Sequence, residues 1–143
     1  MTVTTVDMTK MSQAELDDLY KSSPVGALPD GDSQGTTIIG PRSLFSKVLI
    51  PLIKLLIWQG KVFHRDQDYL LNKVSLFRMR TIKAQIYKGS SWIDDGEAII
   101  LDYSKTSFVA QKIRDEIREV APGIYLGQAY WGKTRLLNFI LEF

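Results

Sequence analysis

Hydrophobic and polar positions alternate with two different periods along this chain. In "MSQAELDDLY", Ser12 stands ready to cap a helix and Glu15, three residues on, completes a capping box, with Met11 and Leu16 placed as a hydrophobic staple. This predicts a helix from about 13 to 21, which Pro24 stops. Before it, residues 1 to 10 carry no clear period and predict a loose tail. After it, "SSPVGALPDGDSQGTTIIGPR" (22 to 42) is rich in turn formers and predicts a long surface connection with one short strand at Thr36 to Ile39. From Trp58 the period becomes two. "WQGKVF" and "LLNKVSLFRM" predict strands on either side of a turn at "HRDQDY", and in "TIKAQIYK" Ile82, Ala84 and Ile86 alternate with Lys83, Gln85 and Tyr87. "IDDGEA" predicts a hairpin turn leading into the strand "EAIILDY". The helical period then returns: Val109, Ile113, Ile117 and Val120 form a stripe, Lys112 and Glu116 pair outside it, and Pro122-Gly123 ends it. "IYLGQAYW" and "LLNFILEF" predict two closing strands joined at "GKTR".

Between the two regimes lies "SLFSKVLIPLIKLLIW". The apolar run from Leu44 to Trp58 is 15 residues long and contains Lys47 and Lys54, whereas a bilayer span needs about 20 apolar residues. It predicts no span. An apolar helix at about 44–57 fits, with the lysines in a narrow polar stripe and Pro51 kinking or splitting it. Its roles stay open: a buried or barrel-plugging helix, a surface resting on a membrane, or the lining of a ligand entrance. Trp58 then marks the junction between that helix and the first barrel strand, with Gly60 allowing close packing or a bulge.

Six or seven antiparallel strands with a helix before the last pair predict a mainly β (α+β) fold. A small antiparallel barrel suits them, because closure removes the open edge that a strand ending at Phe143 would leave. Such a barrel either fills with side chains or holds one small ligand. The 143 residues form one domain by size, with 11–143 as the barrel.

Several short motifs resemble the bacterial and plant proteins that carry a GXWXG domain followed by a DUF4334 domain. They are Trp58, Gly60, Lys61 and Phe63, then "AIILDY", a helix near "IRDEIREVAPG", Leu126-Gly127 and "NFILEF", spread over residues 15 to 143. Where that family's first motif has tryptophan between two glycines, this chain has "GTTIIG". The resemblance implies a lipocalin-like β-barrel and brings no reaction with it.

Composition narrows the function classes. Eighteen basic residues are interleaved with 16 acidic ones for a net charge of +2, which argues against nucleic acid as a partner. There is no cysteine, hence no disulfide, thiolate metal site or cysteine nucleophile. The one histidine, His64 in "FHRDQD", excludes a multi-histidine metal site and reads as a surface turn residue. No metal and no cofactor are expected: neither a Walker loop, a dinucleotide fingerprint nor a nucleophile elbow is present. The start of the chain lacks the pattern of a secretory signal, so a cytoplasmic address is expected, with membrane association through 44–58 as an addition.

Candidate site residues come from facing. Asp102 shares its strand parity with Ala98 and Ile100, Gln128 with Ile124 and Leu126, and Asn138 with Leu136 and Ile140. If those faces line one lumen, polar groups stand among apolar walls, as in small-molecule pockets; otherwise Asp102 contacts the "SKTS" turn and the other two face solvent. The rings of Trp58, Tyr87, Trp92, Tyr103, Tyr130 and Trp131 are wall candidates, and Trp58, Tyr87, Trp92, Asp102, Gln128, Tyr130 and Asn138 are the predicted ligand contacts. Two functions fit. One is binding of a hydrophobic or amphipathic small molecule. The other is a barrel-type cyclase or isomerase acting on a polyketide-like or terpenoid substrate, with Asp102, Glu142 or Tyr103 as acid or base. Whether the chain is an enzyme stays open. A third reading is an interaction domain whose apolar helix docks on a partner or on its own copy, as a homodimer through 44–58.

Overall fold

The computed structural model describes residues 3–38, 58–74, 79–105 and 111–143. The apolar helix expected at about 44–57 lies outside the described residues.

Two short helices open the chain. Where the sequence predicts a tail, α1 (Thr5–Thr9) forms, held by a capping box in which Thr4 accepts from the Asp7 amide and Asp7 accepts from that of Thr4. Its anchor is Met8, fully buried. The second helix, α2 (Gln13–Ser22), matches the predicted one, with the Ser12–Glu15 capping box formed and Leu16 and Tyr20, four apart, turned to the sheet.

Among the described residues, nine strands belong to one antiparallel sheet: β1 (Gly31–Asp32), β2 (Gln34–Ile38), β3 (Trp58–His64), β4 (Tyr69–Val74), β5 (Met79–Ser90), β6 (Glu97–Asp102), β7 (Ile113–Ala121), β8 (Ile124–Trp131) and β9 (Thr134–Glu142). Their order is β1-β3-β4-β5-β6-β7-β8-β9-β2, so the two edges are consecutive in sequence and separated by Ser33. Ser33 bridges to β3 through its amide and hydroxyl, both donating to the Lys61 carbonyl, while the Lys61 amide donates back to the hydroxyl. β1 pairs with β3, and β2 pairs with β9 from Gln34↔Glu142 to Ile38↔Asn138. The result is a nearly closed, barrel-like sheet.

The predicted helix before the last two strands is corrected: residues 113–121 are β7. Ile113 and Ile117 are four apart, a spacing that satisfies both a period of 3.6 and a period of two. The decisive neighbours are Arg114, Glu116 and Arg118, which a strand of ordinary pattern would expose; here Glu116 and Arg118 are buried, under α2. Pro122-Gly123, which looks like a helix stop, is the β7–β8 turn, with Gly123 at φ +73°.

Two apolar layers result. Inside the barrel are Phe63, Leu70, Ala84, Ile86, Ile99, Leu101, Tyr103, Ile117, Tyr125, Phe139 and Leu141. Outside, the helices bring Met8, Leu16 and Tyr20 onto Ala98, Ile100, Leu126 and Ile140. One barrel end is plugged: Phe143 meets Phe63 and Tyr125 edge-on, each at 5.5 Å between ring centroids, Tyr125 donates to the Ala27 carbonyl, and Val25 and Leu28 pack below. At the opposite end β7 begins, β8 ends and β9 begins, and the lumen-facing Ile113, Ala129 and Leu137 are half-buried.

Gly127 lets β7, β8 and β9 approach. A Cβ there would stand 2.7 Å from the Glu116 carbonyl oxygen, 2.6 Å from Ile117 Cγ2 and 2.8 Å from Phe139 Cζ. Because backbone cannot yield as a flexible side chain does, Gly127→Ala is expected to lower the unfolding free energy by about 3 kcal/mol. Urea denaturation checks this; an unchanged midpoint would show that the three strands separate without cost.

Candidate functional site

Among the described residues, the lumen is apolar except for one polar cluster. Lys61 on β3 and Asp115 on β7 point inward with the parity of Phe63 and Ile117, and Tyr103 follows the end of β6 with the parity of Ile99 and Leu101. Lys61 Nζ donates to the Tyr103 hydroxyl at 2.6 Å and stands 3.1 Å from Asp115 Oδ2. Tyr103 donates to the same carboxylate oxygen at 3.3 Å. The ammonium also lies 5.3 Å and 5.4 Å from the ring centroids of Tyr103 and Phe139, within cation–π reach. None of the three is more than 3% exposed.

Burial pulls the Lys61 ammonium down, opposed by Asp115, and burial pushes the Asp115 carboxyl up, opposed by Lys61 and Tyr103. Both shifts favour moving the proton from the amine to the acid. One atom is left over: Asp115 Oδ1 is buried and has no hydrogen-bond partner. A buried carboxylate normally satisfies both oxygens, so this orphan acceptor marks a place where a donor fits. The cluster lies toward the half-buried end of the lumen, away from the aromatic plug. Chemically it offers an amine, a phenol and a carboxyl in one hydrogen-bonded chain.

No family model and no curated protein matches the chain. A solved structure described as a protein from Thermomonospora curvata is similar, with a TM-score of 0.65 at 18% identity, covering 96% of this chain and 91% of that one. At that identity the likeness is one of fold.

Most of the predicted site residues occupy the outer face. Asp102 accepts from Tyr87 at 3.0 Å and from the Ser104 amide and hydroxyl at 2.9 and 2.6 Å, so it holds the turn that follows β6. Burial works to raise its carboxyl, but these bonds and Lys105 carry it below the usual range. Tyr87 is exposed, as is Trp92, whose ring covers the Arg114 guanidinium at 3.9 Å and meets Tyr130 edge-on at 4.9 Å. Gln128 donates to Glu116 Oε1 at 2.7 Å and Asn138 accepts from Gln13 at 2.8 Å, both beneath or beside α2. Glu142 accepts from the Thr5 hydroxyl, an α1 contact. Trp58 opens β3 opposite Val74, and its ring lies outside the described side chains. Of the candidates, Tyr103 faces the lumen. His64 stacks on Tyr69 at 4.6 Å beside the β3–β4 turn. Trp131 is exposed at the β8–β9 turn.

Sequence reasoning missed Lys61 and Asp115. A signal existed, since each carries the parity of apolar residues: Lys61 with Phe63, and Asp115 between Ile113 and Ile117. A hollow of about 380 Å³ lies elsewhere, lined by Asp32, Ser33, Gln34, Glu142 and Phe143. It shares no lining residue with the cluster and meets it through the Ser33 bonds to the Lys61 backbone. Among the described residues, no group of three His, Cys, Asp or Glu side chains could hold a metal, and no helix is long and apolar enough to cross a membrane.

The outer face carries a second buried network, whose work is structural. Glu116 Oε1 accepts from Tyr20, Ser91 and Gln128 at 3.2, 2.5 and 2.7 Å, and Oε2 from the Trp92 amide at 2.9 Å, with Arg114 at 3.1 Å. Arg118 binds Asp94 through two bonds of 2.7 Å and reaches the carbonyls of Glu97 and Tyr20. Near this network and at the plugged end the tyrosines resist ionisation. Burial, helped by Glu116, pushes Tyr130 up to about 12, and burial, helped by Glu119, does the same to Tyr125, from 10.0 in each case. A raised folded-state pKa gives stability that is complete below the unfolded value and is lost as pH climbs through the folded one. Unfolding free energy is therefore expected to decline between pH 10 and about 12, in step with phenolate absorbance. A full complement of phenolate at the lower limit with the fold intact would contradict it.

Proposed function

We propose that this chain binds a hydrophobic or amphipathic small molecule in its lumen, from the end where Ile113, Ala129 and Leu137 are half-buried, in the manner of a lipocalin-like carrier. The observation that carries the reading is the orphan Asp115 Oδ1 within an ion-paired cluster in an apolar interior. Uncompensated polar atoms in such a place cost stability, and a ligand donor would relieve the cost. The preferred ligand has an apolar body and a hydroxyl or comparable donor that meets Asp115. Membership among GXWXG/DUF4334 domain proteins belongs to the same proposal, as do a cytoplasmic address and a membrane or homodimer contact through 44–58.

Displacement of an apolar fluorophore tests this. Decanol and decane should both displace it from the native protein, and Asp115→Asn is expected to weaken decanol by about tenfold while leaving decane unchanged. If no fluorophore binds and neither compound shifts the thermal midpoint, the reading fails.

A second reading, a cyclase or isomerase for a polyketide-like or terpenoid substrate, is favoured by the same carboxyl. Asp115 is inward-facing, buried beside Tyr103 and Phe139, and raised above the ordinary carboxylate range, which suits a general acid or base. Turnover of such a substrate, lost in Asp115→Asn, would place the chain among enzymes.

A further inference from the structure

We propose that Lys61 is a covalent site for an apolar aldehyde, which the barrel holds as an imine. The inference rests on the lumenal binding reading and adds a further ligand class, which offers Asp115 Oδ1 a donor only as its carbinolamine hydroxyl. Three observations carry it. The primary amine is inside the barrel, 3% exposed, with the rings of Tyr103 and Phe139 close by. Two polar neighbours among the described residues, the Tyr103 hydroxyl at 2.6 Å and Asp115 Oδ2 at 3.1 Å, are the donor and the counter-ion that imine formation requires. Asp115 retains an unpartnered oxygen. A purely structural ion pair in such surroundings is stable when its remaining lone pairs are satisfied, and this one leaves an acceptor open.

The chemistry balances without a redox partner. With its extra proton on Asp115, Lys61 Nζ adds its lone pair to the aldehyde carbon, and the carbonyl oxygen takes a proton from Tyr103, which regains one from the amine. The hydroxyl of the resulting carbinolamine points its hydrogen at an acceptor such as Asp115 Oδ1. Loss of that hydroxyl with the proton remaining on the nitrogen releases one water and leaves C=N, and the proton held by Asp115 passes to the imine nitrogen. The cation so formed keeps Asp115 as its counter-ion, in the geometry the lysine already has. Burial supports the first step, because it favours the neutral amine. An aldehyde suits the site better than a ketone, since its carbonyl carbon carries one substituent and the amine is flanked by rings.

The test uses the full chain with equimolar decanal, cyanoborohydride reduction, intact mass measurement and peptide mapping, with decanol binding measured in parallel. One reduced adduct per chain, mapped to Lys61 and at least about tenfold more abundant there than at Lys105, Lys112 or Lys133, is expected. Lys61→Arg keeps a positive charge opposite Asp115 and should lose the adduct; the map on the unaltered protein answers the question even if that variant does not fold. Adducts confined to surface lysines while decanol binds would overturn the covalent site and leave the binding reading standing. If neither decanal nor decanol binds, both fall.

Discussion

Lys61→Met should be among the most damaging single substitutions in the barrel, lowering the unfolding free energy by about 3–5 kcal/mol, because it strands the Asp115 carboxylate in an apolar interior. Burial keeps both partners at or below 3% exposure, so water cannot compensate for the lost ammonium. The informative comparison is with the double variant Lys61→Met/Asp115→Leu. Removing both charges takes away the desolvation cost along with the attraction, so that variant should be as stable as the native chain or more so. Urea denaturation of the single and double variants checks this. A protein that is stabilised by discarding the pair, and that loses decanol affinity with it, would have kept the pair for its ligand. A single variant costing less than about 1 kcal/mol would mean that Asp115 is solvated or protonated at no cost, and that the pair holds no strain for a ligand to relieve.

Glu116→Ala has an effect of similar size with a different signature. It withdraws the acceptor of three side chains, Tyr20, Ser91 and Gln128, and the ion partner of Arg114. A loss of about 3–5 kcal/mol is expected. Glu116→Gln retains shape and some of the bonds and should cost about half as much. Because Tyr20 is the point where α2 meets this network, native-state hydrogen exchange should quicken first in Gln13–Ser22, before the strands. Uniform loss of protection across β7, β8 and β9 instead would show that the network holds the sheet rather than the helix.

The sheet was legible where one face is wet. In β5, Ala84 and Ile86 are buried while Lys83, Gln85 and Tyr87 are exposed, as their alternation predicts, and β8 runs over the predicted segment. Facing was illegible where both sides are covered. In β6, Ala98 and Ile100 go to the helices while Ile99 and Leu101 fill the lumen, so four consecutive apolar residues carry no direction. Of the two facings the sequence left open for Asp102, Gln128 and Asn138, each takes the outer one, with Ala98, Ile100, Leu126 and Ile140 under the helices. β7 failed for the complementary reason, since buried Glu116 and Arg118 look like a solvent-facing stripe until their partners on α2 and in the β5–β6 turn are known. Lys61 lies in a predicted strand, yet a lysine reads as a surface residue unless its parity with Phe63 is taken at face value.

The seam at Ser33 also bears on how the chain reaches its fold. Most ladders here are hairpins between consecutive strands, which form from local contacts. β2 instead waits for β9, and Gln34 finds Glu142 across nearly the whole sequence. That pairing concentrates the loop-closure entropy in one late event and makes it the natural rate-limiting step of folding. Until it occurs, β2 and β9 each present an unpaired edge to other molecules, so crowded refolding should yield strand-exchanged oligomers joined at this seam before any other.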